Sequence, residues 1–380
     1  MPIPASANED RLPGHATREG AHHYAARFSG RAAPGHFRET PSGLFLSSIG
    51  IGTYLGEADP TTDKAYADSI VAAVESGFNL IDTAINYRFQ RSERSVGAAL
   101  KQLVSRGFTR DEVVVCTKAG FLTPDGEMPD DPNEYFAREF LERGVFRPEE
   151  IAQGCHCMAP GYLADQIERS HRNLGVECID VFYLHNPETQ LAELSREDFR
   201  KRIRAAFAFL ETAVAGGKIA AYGMATWNAF REDVKSPGYL SLADMVGVAR
   251  EVAPDGHHFR FVQLPFNLAM PEALMRANQT VDGKTMATVQ AARALGVTLV
   301  TSAALLQGQL TKNLPPYIGE ALGLKTNSAL AIQFARSAPG VTTALVGMSN
   351  VEHVKANLAL VGVESAPRDQ FLKLFEPRSS

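Results

Sequence analysis

Phe78-Asn79-Leu80-Ile81-Asp82, running on into Thr83-Ala84-Ile85-Asn86-Tyr87, sets the fold class. A short apolar run ends on a carboxylate. Just before it, Ala67, Ile70, Val71 and Val74 fall at i, i+3, i+4 and i+7, and Gly77 stands where a left-handed C-cap belongs. Helix, glycine, buried strand and then an ionisable strand end make one βα repeat of a parallel sheet.

The repeat recurs in both directions. Val96, Leu100, Leu103 and Val104 precede Gly107; Leu163, Ile167 and Leu174 precede Gly175; Ile203, Phe207, Leu210 and Val214 precede Gly216. Apolar, β-branched runs predict eight strands, over 48–54, 78–82, 113–118, 179–185, 220–225, 261–265, 297–302 and 344–347. Such strands either close into a barrel or lie open as a doubly wound sheet. An open dinucleotide-binding sheet should carry Gly-x-Gly-x-x-Gly after its first strand, and Gly50, Gly52 and Gly56 do not have that spacing. The expectation is a closed (β/α)8 TIM barrel over 41–380, preceded by a flexible N-terminal extension over 1–40, where no period is sustained. Residues 119–160 far exceed a usual βα loop, so they form an insertion after strand 3, on the face where barrel active sites are built, as a lid or substrate wall. A short helix is expected over 134–143.

Composition narrows the function classes. The 380 residues hold 45% hydrophobic and 21% charged side chains, an ordinary globular balance. With 38 Lys+Arg against 43 Asp+Glu the formal charge is −5, and no basic block tracks a nucleic acid. Four cysteines are too few for a disulfide scaffold, which fits a reducing, cytoplasmic setting. Charged residues in the first forty positions interrupt any signal-peptide core, and no uncharged apolar run approaches the ~20 residues of a membrane span. His22 and His23 receive no chemistry. Cys155-His156-Cys157 is spaced too tightly for a tetrahedral metal site, so no metal is expected, and this tripeptide is read as lining the substrate entrance.

Three consecutive strands end on Asp82, Lys118 and His185, and Tyr87 follows the first. In a barrel these ends converge on one pocket. The bland reading is an Asp82–Lys118 ion pair with His185 on the rim and Tyr87 in packing. The chemical reading is proton transfer: a phenol gives its proton to an oxygen, a neighbouring ammonium stabilises the phenolate, Asp82 holds that ammonium, and His185 hydrogen-bonds the same oxygen. None of the four donates a hydride, so carbonyl reduction requires a nicotinamide cofactor. Two rivals remain: a Schiff-base aldolase using Lys118, and a cofactor-binding regulatory subunit with negligible turnover.

Through Asn79-Leu80-Ile81-Asp82-Thr83-Ala84-Ile85-Asn86-Tyr87, Thr117-Lys118 and Tyr183-Leu184-His185-Asn186-Pro187-Glu188 the chain resembles the aldo-keto reductases, from about 50 to 360. That resemblance implies NADPH or NADH, with NADP slightly favoured, a small carbonyl or alcohol substrate (an aldehyde, a ketone or a sugar-like compound), and Asp82, Tyr87, Lys118 and His185 as a catalytic tetrad. It also implies cofactor contacts at Gly52, Thr53, Thr226, Gln263, Ser302, Leu305, Gly347, Ser349, Asn350, His353 and Asn357. The match departs from the family in three places. Ala225 and Thr226 stand where Ser and Asn are common, Ser302 lies near where an aromatic residue often stacks, and the 347–357 segment lacks an Arg, leaving Lys312 to meet a 2′-phosphate.

Overall fold

A computed structural model describes residues 11–376. The barrel strands are β1 (Ile49–Gly52), β2 (Leu80–Asp82), β3 (Val114–Ala119), β4 (Ile179–His185), β5 (Ile219–Ala225), β6 (Phe259–Pro265), β7 (Thr298–Ser302) and β8 (Thr343–Gly347). All eight are parallel, pair in chain order, and close where β8 pairs back onto β1. The strands read from the sequence are these eight, with ends moved by a few residues. Each is followed by a helix packed outside: α1 (Pro60–Glu75), α2 (Arg91–Ser105), α3 (Pro160–Leu174), α4 (Arg196–Ala215), α5 (Leu242–Val252), α6 (Thr288–Ala294), α7 (Asn327–Ser337) and α8 (Val351–Leu358). This is a (β/α)8 barrel.

Strand alternation explains where the site lies. Leu80, Val114, Cys116, Val181, Tyr183, Phe261, Val300 and Leu345 fill the barrel interior as one buried cluster. Two residues further along three of those strands, on the same inward face, come Asp82, Lys118 and His185. Local chemistry fixes the ends: Asp59 caps α1 by accepting from Thr62 N–H at 2.8 Å, with Pro60 at the first turn, and Gly175 ends α3 in the left-handed region. At Gly223 of β5 the adjacent strand comes so close that any Cβ would fall on Phe261 O.

The expected flexible extension does not hold for residues 11–40; residues 1–10 lie outside the described part. A helix over Arg18–Ala26, capped by Thr17, buries Tyr24, whose hydroxyl donates to Val74 O at 2.6 Å. Strands Phe37–Glu39 and Phe45–Ser47 form an antiparallel hairpin leading into β1. From it Leu46 enters the interior cluster and so closes the N-terminal end of the barrel. Ala16 N–H donates to Asp180 Oδ1 at 2.5 Å. This segment is a floor, because its apolar and polar anchors all find partners on the barrel.

Residues 119–160 are equally built. A helix over Pro132–Phe136 runs into a wider turn over Ala137–Leu141, near the expected 134–143. A hairpin of Ile151–Ala152 with His156–Cys157 follows. Phe140, Phe146, Cys157 and Tyr162 form a separate small core beneath them, and the Arg169 guanidinium lies 5.3 Å above the Phe140 ring. A third hairpin, Ala277–Val281 with Lys284–Ala287, separates β6 from α6 and is absent from the expected elements.

Candidate active site

At the C-terminal rim Lys118 is completely buried, and its Nζ donates to Asp82 Oδ2 at 2.6 Å and to Thr83 O at 2.8 Å. Its third contact is the Tyr87 hydroxyl, at 3.5 Å. Gln263 Nε2, from β6, donates to Asp82 Oδ1 at 2.7 Å, so both carboxylate oxygens are used. The His185 imidazole stands edge-on to the Tyr87 ring, 5.9 Å between centroids, with Nδ1 buried and unpartnered among the described residues. The four residues named from the sequence therefore surround one spot.

Tyr87 is held there by an unusual turn. Ile85 N–H donates to Lys118 O and Tyr87 N–H to Ala84 O, bringing the chain back over β3. Arg88, Phe89 and Gln90 then take φ of 48°, 56° and 70°, left-handed values that cost non-glycine residues of order 1 kcal/mol or more each. The buried Arg88 side chain secures the turn: it donates to Asp63 Oδ1 at 2.8 Å, Ser92 Oγ at 3.1 Å and Ser95 Oγ at 3.0 Å, and lies over the Tyr66 ring.

The electrostatics follow from burial and one close cation. Burial pushes the Tyr87 phenol above its ordinary value, and the Lys118 charge recovers only part of that. Burial likewise raises the Asp82 carboxyl against the pull of Lys118 and Gln263. For Lys118 burial works downward, but Asp82 and then Tyr87 outweigh it and hold the ammonium above its ordinary value. Burial, then Lys118 and His156, drive His185 well below the ordinary imidazole value. The resting site is thus an ion pair beside a protonated phenol and a neutral imidazole. A charged Lys118 that donates to Asp82 and Thr83 O is a poor amine nucleophile, which counts against the Schiff-base reading.

The remaining positions inferred from the sequence complete the circle on β5–β8 and β1. Thr226, just past β5, is buried, with Oγ1 unpartnered among the described residues and its N–H on Gln263 O at 2.9 Å. Ser302 and Leu305 lie at and beyond the end of β7, Gly347 at the end of β8. Asn350 caps α8 by accepting His353 N–H at 3.0 Å, Ser349 Oγ approaches His353 Nδ1 at 3.5 Å, and Asn357 is buried one turn on. Thr53 directs both N–H and Oγ1 at Asp82 O, each at 3.2 Å, next to Gly52. Lys312 follows the short turn Gln309–Thr311. A carboxamide suits this arc, because the orphaned Thr226 hydroxyl is a buried donor and acceptor awaiting a partner.

Other residues at the site were not singled out beforehand. The Tyr54 ring stands 4.9 Å from that of Tyr87, and the Phe121 ring 5.3 Å from that of His185, so aromatic walls flank the tetrad. Glu188 Oε1 accepts Trp227 N–H at 2.7 Å and Asn228 N–H at 3.3 Å, tying the β4 end to the β5 end. His156, expected at the substrate entrance, is instead buried, with Nε2 at 2.8 Å from His185 O. Among the described residues no group of three or more His, Cys, Asp or Glu is placed to hold a metal ion, and no helix is long and apolar enough to cross a membrane.

Comparison with known proteins gives a consistent result. The family described as "Aldo/keto reductase family" matches residues 48–321. A D-threo-aldose 1-dehydrogenase from a Pseudomonas species is 32% identical over 43% of this chain and 44% of its own length. An NADH-specific methylglyoxal reductase from Escherichia coli is 29% identical over 37% of this chain and 39% of its own. The matched stretches thus span under half the length of these curated relatives. Among solved structures, an aldo-keto reductase from Bacillus halodurans in its holo form superposes with a TM-score of 0.60 at 20% identity, over 89% of this chain and 95% of that one. An aldo/keto reductase from Klebsiella pneumoniae, in complex with NADP and acetate, gives 0.59 at 19%, over 91% and 97%. With the family match covering most of the barrel, this chain belongs to the aldo/keto reductase family.

Proposed function

We propose that the protein is an NAD(P)H-dependent oxidoreductase that interconverts an aldehyde or ketone with its alcohol, and that Tyr87 is the general acid and base. The single observation that carries this reading is the Lys118 Nζ seated between Asp82 Oδ2 at 2.6 Å and the Tyr87 hydroxyl at 3.5 Å, with the His185 ring alongside. A bound nicotinamide supplies the hydride to the carbonyl carbon, or takes it back. The chain handles the oxygen. Tyr87 donates its proton as negative charge develops there, Lys118 stabilises the phenolate left behind, and Asp82 keeps Lys118 charged and in place. Neutral His185 offers a hydrogen bond to the same oxygen. Thr226 and Gln263 would hold the carboxamide of such a cofactor, and Gly52, Thr53, Ser302, Leu305, Gly347, Ser349, Asn350, His353 and Asn357 would hold the rest of the dinucleotide.

The family match and the names of the relatives support this class, one acting on an aldose and one on methylglyoxal. The substrate is a small carbonyl compound or sugar, for which the Tyr54 ring beside Tyr87 and the Phe121 ring beside His185 offer apolar contacts. Oxidation of reduced cofactor with a panel of aldehydes, ketones and aldoses tests the reading, with Tyr87→Phe as control. Turnover should fall about 10²–10⁴-fold in that variant with cofactor affinity unchanged. A wild-type protein that binds cofactor and turns over nothing in either direction would return the regulatory-subunit reading.

A further inference from the structure

We propose that His156, carried by the 119–160 insertion, is a positioning residue for the catalytic imidazole: it clamps the backbone carbonyl of His185 and the Phe121 ring beside it. This rests on the oxidoreductase reading. The starting point is a carbonyl that the barrel leaves over. The β3–β4 ladder ends with Ala119 opposite Leu184, and Asn186 turns into the left-handed region at φ 46° to give its N–H to Ala225 O. His185 O therefore lies beyond the ladder, in a part-buried position where an unmade hydrogen bond is costly. The His156 ring reaches it from outside the barrel, at 2.8 Å.

A chain of donors fixes the form of that ring. Arg202 NH1 donates to Gln190 Oε1 at 3.0 Å, which turns the Gln190 amide so that Nε2 faces His156 Nδ1 at 3.2 Å. Since Gln190 Nε2 can only donate, Nδ1 accepts, and the one proton of the neutral imidazole sits on Nε2, directed at His185 O. Arg202 is itself anchored on Glu149 O and Glu150 O, at 2.5 and 2.9 Å, at the base of the same hairpin. Burial keeps the His156 ring neutral, lowering it to about 4.

Two further features show that the contact is built. A Cβ on Gly120 would lie 2.5 Å from His185 O and 2.6 Å from His156 Nε2, so the residue between β3 and Phe121 has no room for a side chain. Phe121 meets both imidazoles edge-on, at 5.1 Å from His156 and 5.3 Å from His185, and its backbone bridges to His156. Leu122 N–H on Cys155 O and Cys157 N–H on Gly120 O, each at 2.8 Å, complete the seam. The insertion thus braces one member of the tetrad and one wall of the pocket from the far side of the hairpin.

The test compares His156→Leu with His156→Gln, whose amide nitrogen can stand where Nε2 stood. His156→Leu should lower kcat roughly 10–100-fold, the usual effect of a small misplacement near the reacting atoms, while His156→Gln should recover to within about threefold of the wild type. Cofactor Kd, by titration, should stay unchanged, and the primary isotope effect with 4-deuterated reduced cofactor should rise in His156→Leu as the chemical step becomes limiting. A His156→Leu protein with wild-type kcat and isotope effect overturns the proposal, as does equal loss in both variants with no change in isotope effect. If His156→Leu does not fold, Gln190→Leu, which frees the ring to change tautomer, should lower kcat with the same isotope signature; unchanged kcat there also overturns it. Absence of any wild-type turnover removes the oxidoreductase reading and this inference together, whereas an active wild type silenced by Tyr87→Phe leaves His156 to be judged on its own variants.

Discussion

Asp82→Asn changes one atom and removes one charge from the centre of the site. Two donors converge on that carboxylate, Lys118 at 2.6 Å and Gln263 at 2.7 Å, on different oxygens. An asparagine has one acceptor oxygen and one amide nitrogen, so either Lys118 or Gln263 must face another donor. Lys118 is completely buried and Asp82 nearly so, and removing one partner of such a pair costs about 3–5 kcal/mol. Urea unfolding followed by circular dichroism should register a loss of that order. Activity should also change shape with pH. In the native site burial pulls the Lys118 ammonium down, and Asp82 with a smaller contribution from Tyr87 more than compensates. With Asp82 neutral most of that compensation is gone, so Lys118 loses its proton at lower pH and the alkaline limb of kcat/KM moves toward neutrality. A variant with a loss below about 1 kcal/mol, in the range of an exposed pair, and an unmoved alkaline limb would refute the assignment of Asp82 as the group that keeps Lys118 charged.

Acid should destabilise the fold through its buried imidazoles. His36 and His156 are both lowered from 6.5 to about 4, so between those values the unfolded chain takes up protons that the folded chain refuses. Stability is full above about 6.5 and falls toward pH 4 by up to about 3 kcal/mol per residue, and urea midpoints at a series of pH values should show a shallower fall in His36→Gln. Replacing Glu188 by Ala strips the acceptor from Trp227 and Asn228 N–H and should raise KM for the cofactor more than it lowers kcat, since it loosens Thr226; steady-state kinetics with varied cofactor checks this. The 347–358 segment has no arginine, and Lys355 is paired with Glu352 at 2.7 Å. NADPH should therefore be preferred over NADH by no more than about fivefold, the worth of an exposed charge contact, and raising the salt should erase the difference.

The barrel was legible because its signals are local. Apolar runs alternate with glycine-terminated helical stripes, three consecutive runs end on an ionisable residue, and alternation along Val181, Tyr183 and His185 places the imidazole on the interior face. The N-terminal segment was not legible because what orders it lies far away: Tyr24 is held by Val74 O, and Ala16 by Asp180. The 277–287 hairpin could have been found, since Val281-Asp282-Gly283-Lys284 is a two-residue turn with φ of 49° and 75° at its centre. His156 could not. Flanked by Cys155 and Cys157 it invites a metal or entrance reading, while its actual partner is a backbone carbonyl, which carries no residue-type signal.

The balance of burial against charge was the other unreadable quantity, and it bears on how the site works. Proximity of Lys118 to Tyr87 argues from sequence for a phenol eased toward ionisation, yet burial wins and the phenol is raised. The same force raises Asp82 and lowers His185; of the four groups only Lys118 ends on the side that favours its charged form. A proton held by a raised phenol is not released to solvent at neutral pH. In the proposed reaction it would move once the substrate oxygen became basic enough to take it, as hydride reached the carbonyl carbon. The single ammonium would then face a phenolate at 3.5 Å, so its attraction would be stronger after proton transfer than before. On that reading, burial of these four groups suppresses idle ionisation and reserves the Lys118 charge for the step in which Tyr87 gives up its proton.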